Sequence, residues 1–312
     1  MVEKILEIKD LYVEYVTAKV GENKLVKAVN GVSLSVECGK TFAIAGESGC
    51  GKSTLAKAIM RLVPLKQGQI LYMGEDVADY KKEQIKDYRK NVQMVFQNPY
   101  SSLNPKMTIR KILSEPLEIN TNLSKIERDE QVREIVHKVG LSENHLDMYP
   151  HEFSGGQRQR IAIARALVLK PKVIIADEPV SALDASVQAQ ILNMLNELKA
   201  EFNLTMIFIS HDLSVIKFLA DKVAVMYLGE IVEEGDTKEI FESPAHPYTK
   251  ALLNAVPKYG KLTEDLLSGD LPTELPKGCK FVSRCKYSSD SCELNCPDFI
   301  QITPTHKVRC SV

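Results

Sequence analysis

The sequence lacks net charge and long apolar runs, and each absence excludes a class of protein. Its 40 lysines and arginines and 41 aspartates and glutamates leave a formal net charge of −1, which predicts no general attraction to nucleic acid or anionic lipid. The longest apolar runs are short, such as residues 223–228, and none approaches the roughly 18 residues of a membrane span. Residues 1–7 also lack the apolar core of a signal peptide. We therefore expect a globular protein that has no general affinity for nucleic acid.

Cysteine is scarce over most of the chain and crowded near its end. Of seven cysteines, Cys38 and Cys50 stand apart, and the other five lie between residues 279 and 310. In a reducing compartment such crowding favours metal ligation over disulfide bonds. Internal repeats are also lacking, so each motif described below occurs once.

A glycine-rich stretch matches the phosphate-binding pattern G-x-x-x-x-G-K-[ST]. It consists of Gly46, Glu47, Ser48, Gly49, Cys50, Gly51, Lys52, Ser53 and Thr54. The apolar run at residues 41–45 predicts a buried strand before it, and the apolar spacing through Leu62 predicts a helix over residues 53–62. Glycines let backbone N–H groups reach phosphate oxygens, while Lys52 would contact the β- and γ-phosphates and Ser53 would hold Mg2+. The stretch therefore predicts a nucleotide site.

A second apolar run ends in two acidic residues. Residues 172–176 predict a buried strand, so Asp177 and Glu178 would stand at its carboxyl end, where ligands of open α/β sheets bind. Asp177 is placed to hold Mg2+ through water, and Glu178 to orient or deprotonate an attacking water molecule.

The third motif is a glycine pair at a predicted helix start. Ser154 is a candidate N-cap, and Gly155 and Gly156, before Gln157, leave backbone amides open as a second anion site. Taken alone, the same pattern also fits an ordinary capped helix.

Strand and helix patterns along the chain predict an α/β fold with a mostly parallel core sheet. Residues 3–16 and 24–36 predict an antiparallel β hairpin region, and residues 124–139 predict one of several charged helices. We divide the chain into a nucleotide-binding core, a helical insertion and a small cysteine-rich C-terminal domain, at residues 1–97 with 171–245, residues 98–170 and residues 246–312.

The order of these motifs resembles that of the ATP-binding cassette (ABC) ATPases over residues 3–255. The corresponding elements are a Walker A loop at 46–54, a Q-loop glutamine at Gln97, a signature of Ser154, Gly155, Gly156 and Gln157, a Walker B strand with Asp177 and Glu178, a D-loop with Asp184, and a switch histidine at His211. The signature departs from the family in having Phe153 where leucine is usual, although its Ser-Gly-Gly-Gln is intact.

The resemblance implies a mechanism and cofactors. ATP and Mg2+ would be bound, with Glu178, His211 and Gln97 as catalytic residues and with Mg2+ held by Ser53, Gln97 and Asp177. The adenine-stacking aromatic of the family matches Tyr15, with Tyr12 as the alternative. Two cassettes meet head to tail in the family, so Ser154 and Gly156 would serve the ATP of a partner.

Three further segments narrow the resemblance. Residues 92–105, 176–184 and 243–253 resemble the oligopeptide/dipeptide importer subfamily, and the signature resembles the second of its two paralogous ATPases. This implies ATP hydrolysis that powers uptake of di- or oligopeptides or a related solute, in a heterodimer with a sister ATPase. Two transmembrane permeases and an external solute-binding protein would complete the assembly, at the cytoplasmic face of the membrane. The alternative is a non-transport ABC ATPase that uses ATP as a dimerisation switch.

The C-terminal cysteines resemble a motif of the same subfamily. Cys279, Cys285, Cys292 and Cys310 match positions at which some members hold a [4Fe–4S] cluster, while Cys296 is an extra cysteine to which the resemblance assigns no role. The cysteine spacings are longer than those of typical zinc fingers, and four thiolates suit a cubane cluster. The hypothesis is a [4Fe–4S] cluster. Free or partly paired thiols and structural zinc remain the alternatives.

Overall fold

The computed structural model describes residues 3–19, 22–255 and 275–311. Its strands are β1 (Lys4–Lys19), β2 (Glu22–Glu37), β3 (Thr41–Ala45), β4 (Gln67–Tyr72), β5 (Glu75–Asp76), β6 (Val92–Val95), β7 (Val173–Asp177), β8 (Thr205–Ser210), β9 (Lys222–Tyr227), β10 (Glu230–Asp236), β11 (Ile300–Gln301) and β12 (Lys307–Val308). Its helices are α1 (Lys52–Ile59), α2 (Lys82–Asn91), α3 (Pro99–Ser102), α4 (Ile109–Asn120), α5 (Lys125–Lys138), α6 (Gly155–Leu167), α7 (Ala185–Phe202), α8 (Leu213–Leu219), α9 (Thr237–Glu242), α10 (Pro247–Asn254) and α11 (Asp290–Leu294).

The described residues form two compact units. The first comprises residues 3, 37–40 and 76–208, and the second comprises residues 4–19, 22–36, 41–75, 209–255 and 275–311. Short 3₁₀ helices supplement both units, at Val77–Asp79, Glu143–Asp147, Pro150–Glu152 and Val282–Arg284.

The first unit surrounds a parallel pair of strands with helices. Strand β6 pairs with β7 in parallel, from Val92 opposite Val173 to Val95 opposite Ala176. All five residues of β7 are buried, which explains its continuous apolar run, since a parallel strand covered on both faces has no solvent side. The predicted charged helix is α5, which begins with a capping box between Ser124 and Glu127 and buries Val132, Ile135 and Val136.

The second unit has a mixed sheet and a separate antiparallel one. Strand β3 is fully buried and pairs in parallel with β9, while β10 turns back antiparallel on β9. The C-terminal strand β12 then pairs antiparallel with β10, and β11 with β12, so the cysteine-rich tail contributes to the same sheet. In the separate sheet, ordered β2-β1-β4-β5, the two predicted strands β1 and β2 are neighbours, and β1 pairs antiparallel with β4.

The predicted length of the helix after the glycine-rich stretch is wrong. Helix α1 ends at Ile59, Arg61 adopts a left-handed φ of 52°, and Leu62 is 51% exposed. The chain thus leaves the helix before Leu62 reaches the buried face, although apolar spacing alone would have included it.

Over the described ranges, no helix combines the length and the apolar character that crossing a bilayer requires.

Candidate active site

Two glycines of the glycine-rich loop pack directly against the backbone of neighbouring strands. Gly46 has a φ of 150°, and a Cβ placed on it would come 2.2 Å from the carbonyl oxygen of Met226. Gly51 has a φ of 111°, and its Cβ would come 2.1 Å from the carbonyl oxygen of Ala28. No other residue type fits at either position, because real side chains do not approach backbone atoms this closely.

Lys52 lies inside this loop. Its Nζ donates hydrogen bonds to the carbonyl oxygens of Gly46 at 2.7 Å and Glu47 at 2.8 Å, and the side chain is 4% exposed. Burial of an ammonium is costly unless it is hydrogen-bonded, and the loop carbonyls provide those bonds. The neighbouring thiol of Cys50 is also buried, and this burial raises its pKa. The loop therefore holds a positive charge at its centre.

The first turn of α1 has the features of an anion site. Its N-cap is Gly51, which has no side chain to accept from the helix amides, and Ser53 and Thr54 follow it as half-buried residues. Ser48 and Gly49 are exposed at the tip of the loop. Amides without a side-chain cap at a helix N-terminus favour a phosphate group.

Glu47 of the loop makes contacts that the sequence did not predict. Its backbone N–H donates to the hydroxyl of Tyr248 at 3.0 Å, and its carboxylate accepts from both terminal nitrogens of Arg284 at 2.9 and 3.0 Å. Tyr248 lies in the segment 243–253 that marks the subfamily resemblance, but no local pattern connects Arg284 with the loop.

The two predicted acids stand at the end of β7, in the first unit. Asp177 is 4% exposed and Glu178 is 7% exposed, and Gln97 donates from Nε2 to Oε2 of Glu178 at 2.9 Å. Glu178 has a left-handed φ of 46°, and its carbonyl oxygen accepts from the hydroxyl of Ser181 at 3.2 Å. A non-glycine residue in this conformation carries strain, and such strain is concentrated at functional sites. The structure thus brings together Gln97 and Glu178.

The signature residues form the start of α6, and the predicted N-cap is confirmed. Ser154 Oγ accepts from the Gln157 N–H at 3.3 Å, and Gln157 Oε1 accepts from the Ser154 N–H at 3.0 Å. Phe153 is 4% exposed and packs its ring edge-to-face against His145 at 5.4 Å, so the larger aromatic residue is accommodated as core.

Helix α7 packs directly behind the signature. A Cβ on Gly156 would come 2.4 Å from Cγ1 of Val187, so glycine is needed for the close approach of the two helices. Asp184 caps α7 by accepting from the Val187 N–H at 3.0 Å. A Cβ on Gly155 would lie 3.6 Å from Cδ2 of Leu183. The contact of α6 with α7 therefore brings the signature residues Ser154 and Gly156 close to Asp184.

His211 and Tyr15 both belong to the second unit. His211 is exposed between β8 and α8, and the next residue, Asp212, caps α8 by accepting from the Ser214 N–H at 2.8 Å. Tyr15 is half-buried in β1. Their assigned roles therefore stay predictions.

Four of the five C-terminal cysteines line one small, partly open cavity. These are Cys279, Cys285, Cys292 and Cys310, and His246 and Phe281 complete part of the wall. Burial raises the pKa of Cys279 to about 11, whereas hydrogen bonding with Ser289 lowers the pKa of Cys292. Among the described side chains, no group of three or more His, Cys, Asp or Glu is arranged to hold a metal ion.

Comparisons with known proteins agree with this geometry. The family "ABC transporter" matches residues 29–181, and the family "Oligopeptide/dipeptide transporter, C-terminal region" matches residues 232–292. The chain is 48% identical to the oligopeptide transport ATP-binding protein AppF of Bacillus subtilis (strain 168), over 99% of this chain and 97% of that protein. It is 50% identical to the dipeptide transport ATP-binding protein DppF of Haemophilus influenzae, over 91% of this chain and 89% of that protein.

A solved structure extends the comparison to the fold. A dimeric ATP-binding cassette, in a post-hydrolysis state bound to ADP and Pi, superposes with a TM-score of 0.67 at 28% identity, over 74% of this chain and 98% of the other. The fold and the motifs thus define an α/β P-loop ATPase cassette. Within that class, the chain belongs to the ABC transporter ATP-binding proteins that carry the oligopeptide/dipeptide C-terminal region. The predictions of this family, of the cassette fold and of an ATPase are confirmed.

The close backbone contact at Gly51 predicts a large difference between two glycine substitutions. Gly51→Ala should lower the free energy of unfolding by about 3 kcal/mol or more, since a methyl group would meet the Ala28 carbonyl in addition to straining φ. Gly49→Ala is the matched control, because its φ of 82° is strained but nothing lies within 4 Å of its Cβ, and it should cost about 1 kcal/mol. Urea unfolding followed by circular dichroism measures both, and equal losses would contradict the contact.

Proposed function

We propose that this chain is the ATP-hydrolysing subunit of an importer for di- or oligopeptides or a related solute. The near full-length identity to proteins named for oligopeptide and dipeptide transport supports the substrate class. The chain would act as a peripheral subunit at the cytoplasmic face of the membrane, with a paralogous ATPase, two transmembrane permeases and an external solute-binding protein. The division into a core at 1–97 and 171–245, a helical insertion at 98–170 and a tail at 246–312 is part of the same proposal.

Glu178 is the general base in this proposal. The observation that carries the assignment is its buried carboxylate in a left-handed turn, hydrogen-bonded to Gln97 at 2.9 Å. The amide of Gln97 fixes the direction of the carboxylate, so that the water attacking the γ-phosphate is oriented as its proton is removed. Phosphoryl transfer needs positioning and charge neutralisation more than covalent chemistry, and Lys52 provides a positive charge from within the loop.

The remaining residues bind and orient the nucleotide. We assign the loop 46–54 to the phosphates, Tyr15 to the adenine and His211 to the γ-phosphate. The hydroxyl of Ser53, the amide of Gln97 and the carboxylate of Asp177 are oxygen donors of the kind that Mg2+ prefers, so this donor set fits that ion. When bound, Mg2+ would neutralise phosphate charge.

The signature residues are assigned to the ATP of a partner cassette. Ser154, Gly155, Gly156 and Gln157 form the N-terminus of α6, where backbone amides favour an anion. The dimeric state of the solved relative supports this arrangement. Asp184, which caps α7 against the same helix end, would hold the signature in position.

Glu178→Gln should separate binding from hydrolysis. An amide of the same shape keeps the hydrogen-bonding partner of Gln97 but cannot accept a proton, so MgATP should bind and hold a closed dimer while turnover falls by about 10²-fold or more. Phosphate release and size-exclusion chromatography measure the two effects. Glu83→Gln, on an exposed position of α2, is the control and should behave as wild type. Near-normal phosphate release by Glu178→Gln would overturn the assignment.

Two matched serine substitutions separate capping from catalysis. Ser124 and Ser154 each cap a helix in a capping box, with hydroxyl-to-amide distances of 3.3 Å in both. Each change to alanine should therefore cost about 1 kcal/mol of stability. Only Ser154→Ala should also lower the ATPase rate, by at least about tenfold, because Ser154 would stabilise the phosphate of a partner. An equal ATPase rate in both variants would restrict Ser154 to a capping role.

We further propose a [4Fe–4S] cluster at the C-terminal cavity. The support is that Cys279, Cys285, Cys292 and Cys310 line one cavity while Cys296 does not. Thiolates are the usual ligands of such clusters, so four cysteines suit its donor chemistry, although the described side chains are not arranged as a metal site and the thiol of Cys279 must lose its proton against a raised pKa.

Cys296, which does not line the cavity, provides a control for the proposed cluster. Protein purified without oxygen should contain about four iron and four sulfide ions per chain and absorb visible light. Cys279→Ser should abolish both signals, whereas Cys296→Ser should leave them unchanged, because the Cys296 thiol instead donates to Glu230 at 3.7 Å. Colourless protein without iron, or one zinc ion per chain, would contradict the cluster.

A further inference from the structure

The peptide groups on both sides of Glu47 are held by different parts of the second unit. The N–H of Glu47 donates to the Tyr248 hydroxyl at 3.0 Å, and its carbonyl oxygen accepts from Lys52 Nζ at 2.8 Å. A displacement of Glu47 would therefore move an acceptor of the lysine that contacts phosphate. The position of this lysine depends in part on Tyr248, more than 190 residues further along the chain.

The Glu47 carboxylate makes a bidentate ion pair. Arg284 Nη1 and Nη2 donate to Oε2 and Oε1 at 2.9 and 3.0 Å, and the Arg284 side chain is only 6% exposed. The hydrogen bond with Glu47 is the main reason why the pKa of Arg284 is raised. Paired, parallel hydrogen bonds fix direction as well as distance. This pair therefore constrains the loop more tightly than an exposed salt bridge would.

Aromatic packing gives Tyr248 and Arg284 a common support. The ring of Phe281 lies 5.4 Å from that of Tyr248 and 5.3 Å from that of Tyr227, measured between centroids. The Arg284 guanidinium lies over the Tyr227 ring at 5.9 Å and the Phe281 ring at 6.0 Å. Burial raises the pKa of Tyr248, so its hydroxyl stays protonated. The hydrogen bond between Glu47 and Tyr248 and the ion pair between Glu47 and Arg284 thus both depend on the position of Phe281.

The same short segment lines the cysteine cavity. Phe281 and Arg284 lie between Cys279 and Cys285, on and beside the 3₁₀ helix Val282–Arg284. Cys279, Phe281 and Cys285 all line the cavity. Some side chains of residues 279–285 therefore line the cavity, while the Arg284 side chain binds Glu47 of the phosphate loop. A shift of this segment would displace Glu47.

We propose that Arg284 and Tyr248 are positioning residues of the nucleotide site, so that ATP affinity depends on segment 279–285 being in place. The inference rests on the ATPase function given above. Without these contacts the loop would have to be ordered by ATP itself, and the free energy of that ordering would weaken binding. By reciprocity, bound ATP would in turn order segment 279–285.

Three variants of the full chain test the inference. Arg284→Gln removes the ion pair, and Tyr248→Phe removes only the hydroxyl while keeping the aromatic packing. Lys307→Gln is the control, since Lys307 lies in the same tail but pairs with Glu234 at 3.1 Å and lies over the Phe299 ring. With a fluorescent ATP analogue and Mg2+, Kd should rise about fivefold for Arg284→Gln, less for Tyr248→Phe, and not at all for Lys307→Gln.

Kinetics and hydrogen exchange distinguish positioning from general loss of stability. For both variants KM for ATP should rise while kcat at saturating ATP stays near wild type, because the base Glu178 is unaffected. Glu47→Gln should weaken binding similarly, and adding Arg284→Gln to it should have little further effect. In wild type, ATP should slow amide exchange in residues 279–285, and Arg284→Gln should abolish this protection.

The outcomes separate this inference from the proposed function. If wild type does not bind the ATP analogue, the nucleotide function itself fails. If wild type binds it and both Arg284→Gln and Tyr248→Phe bind equally well, the positioning role is overturned. Should Arg284→Gln fail to fold, Tyr248→Phe decides alone, because a raised Kd supports the inference and an unchanged Kd refutes it.

Discussion

Close contact between backbone segments is the constraint on which the phosphate loop depends. Gly46 lies against the Met226 carbonyl and Gly51 against the Ala28 carbonyl, at distances that leave no room for a side chain. The two carbonyls belong to β9 and β2, so strands distant in sequence set the shape of the loop. That shape directs the carbonyls of Gly46 and Glu47 inward, where they bind Lys52. A cation is thereby placed at the centre of an anion site.

A buried strand likewise fixes the position of the two acidic residues at the end of β7. A fully buried apolar strand delivers Asp177 and Glu178 to its carboxyl end, and the left-handed turn at Glu178 directs its side chain to Gln97. Such a turn is unfavourable for glutamate, and the bonds from Ser181 to its carbonyl oxygen help to hold it. The folded protein can tolerate this backbone strain because the adjoining strand β7 is fully buried in the core.

The cysteine-rich tail is held to the rest of the second unit by hydrogen bonds to buried carboxylates as well as by strand pairing. Glu233 of β10 is fully buried and accepts from the His306 ring at 2.7 Å and from the N–H groups of Ala245 and His246 at 2.6 and 3.0 Å. Arg284 adds the bond to Glu47 in the loop. Removing one member of such buried sets leaves its partners unsatisfied, so tail and loop are energetically connected.

The sequence by itself determined the local elements of this protein. The glycine spacing at 46–54, the acids after an apolar run and the capping boxes of α5 and α6 are encoded within a few residues, and the structure contains each of them. The end of α1 was missed, since the left-handed turn at Arg61 has no signal in apolar spacing. Only the tertiary structure placed Tyr248 and Arg284 against Glu47, across separations of 201 and 237 residues. Contacts at such separations depend on how the whole unit packs, and no local pattern records that packing.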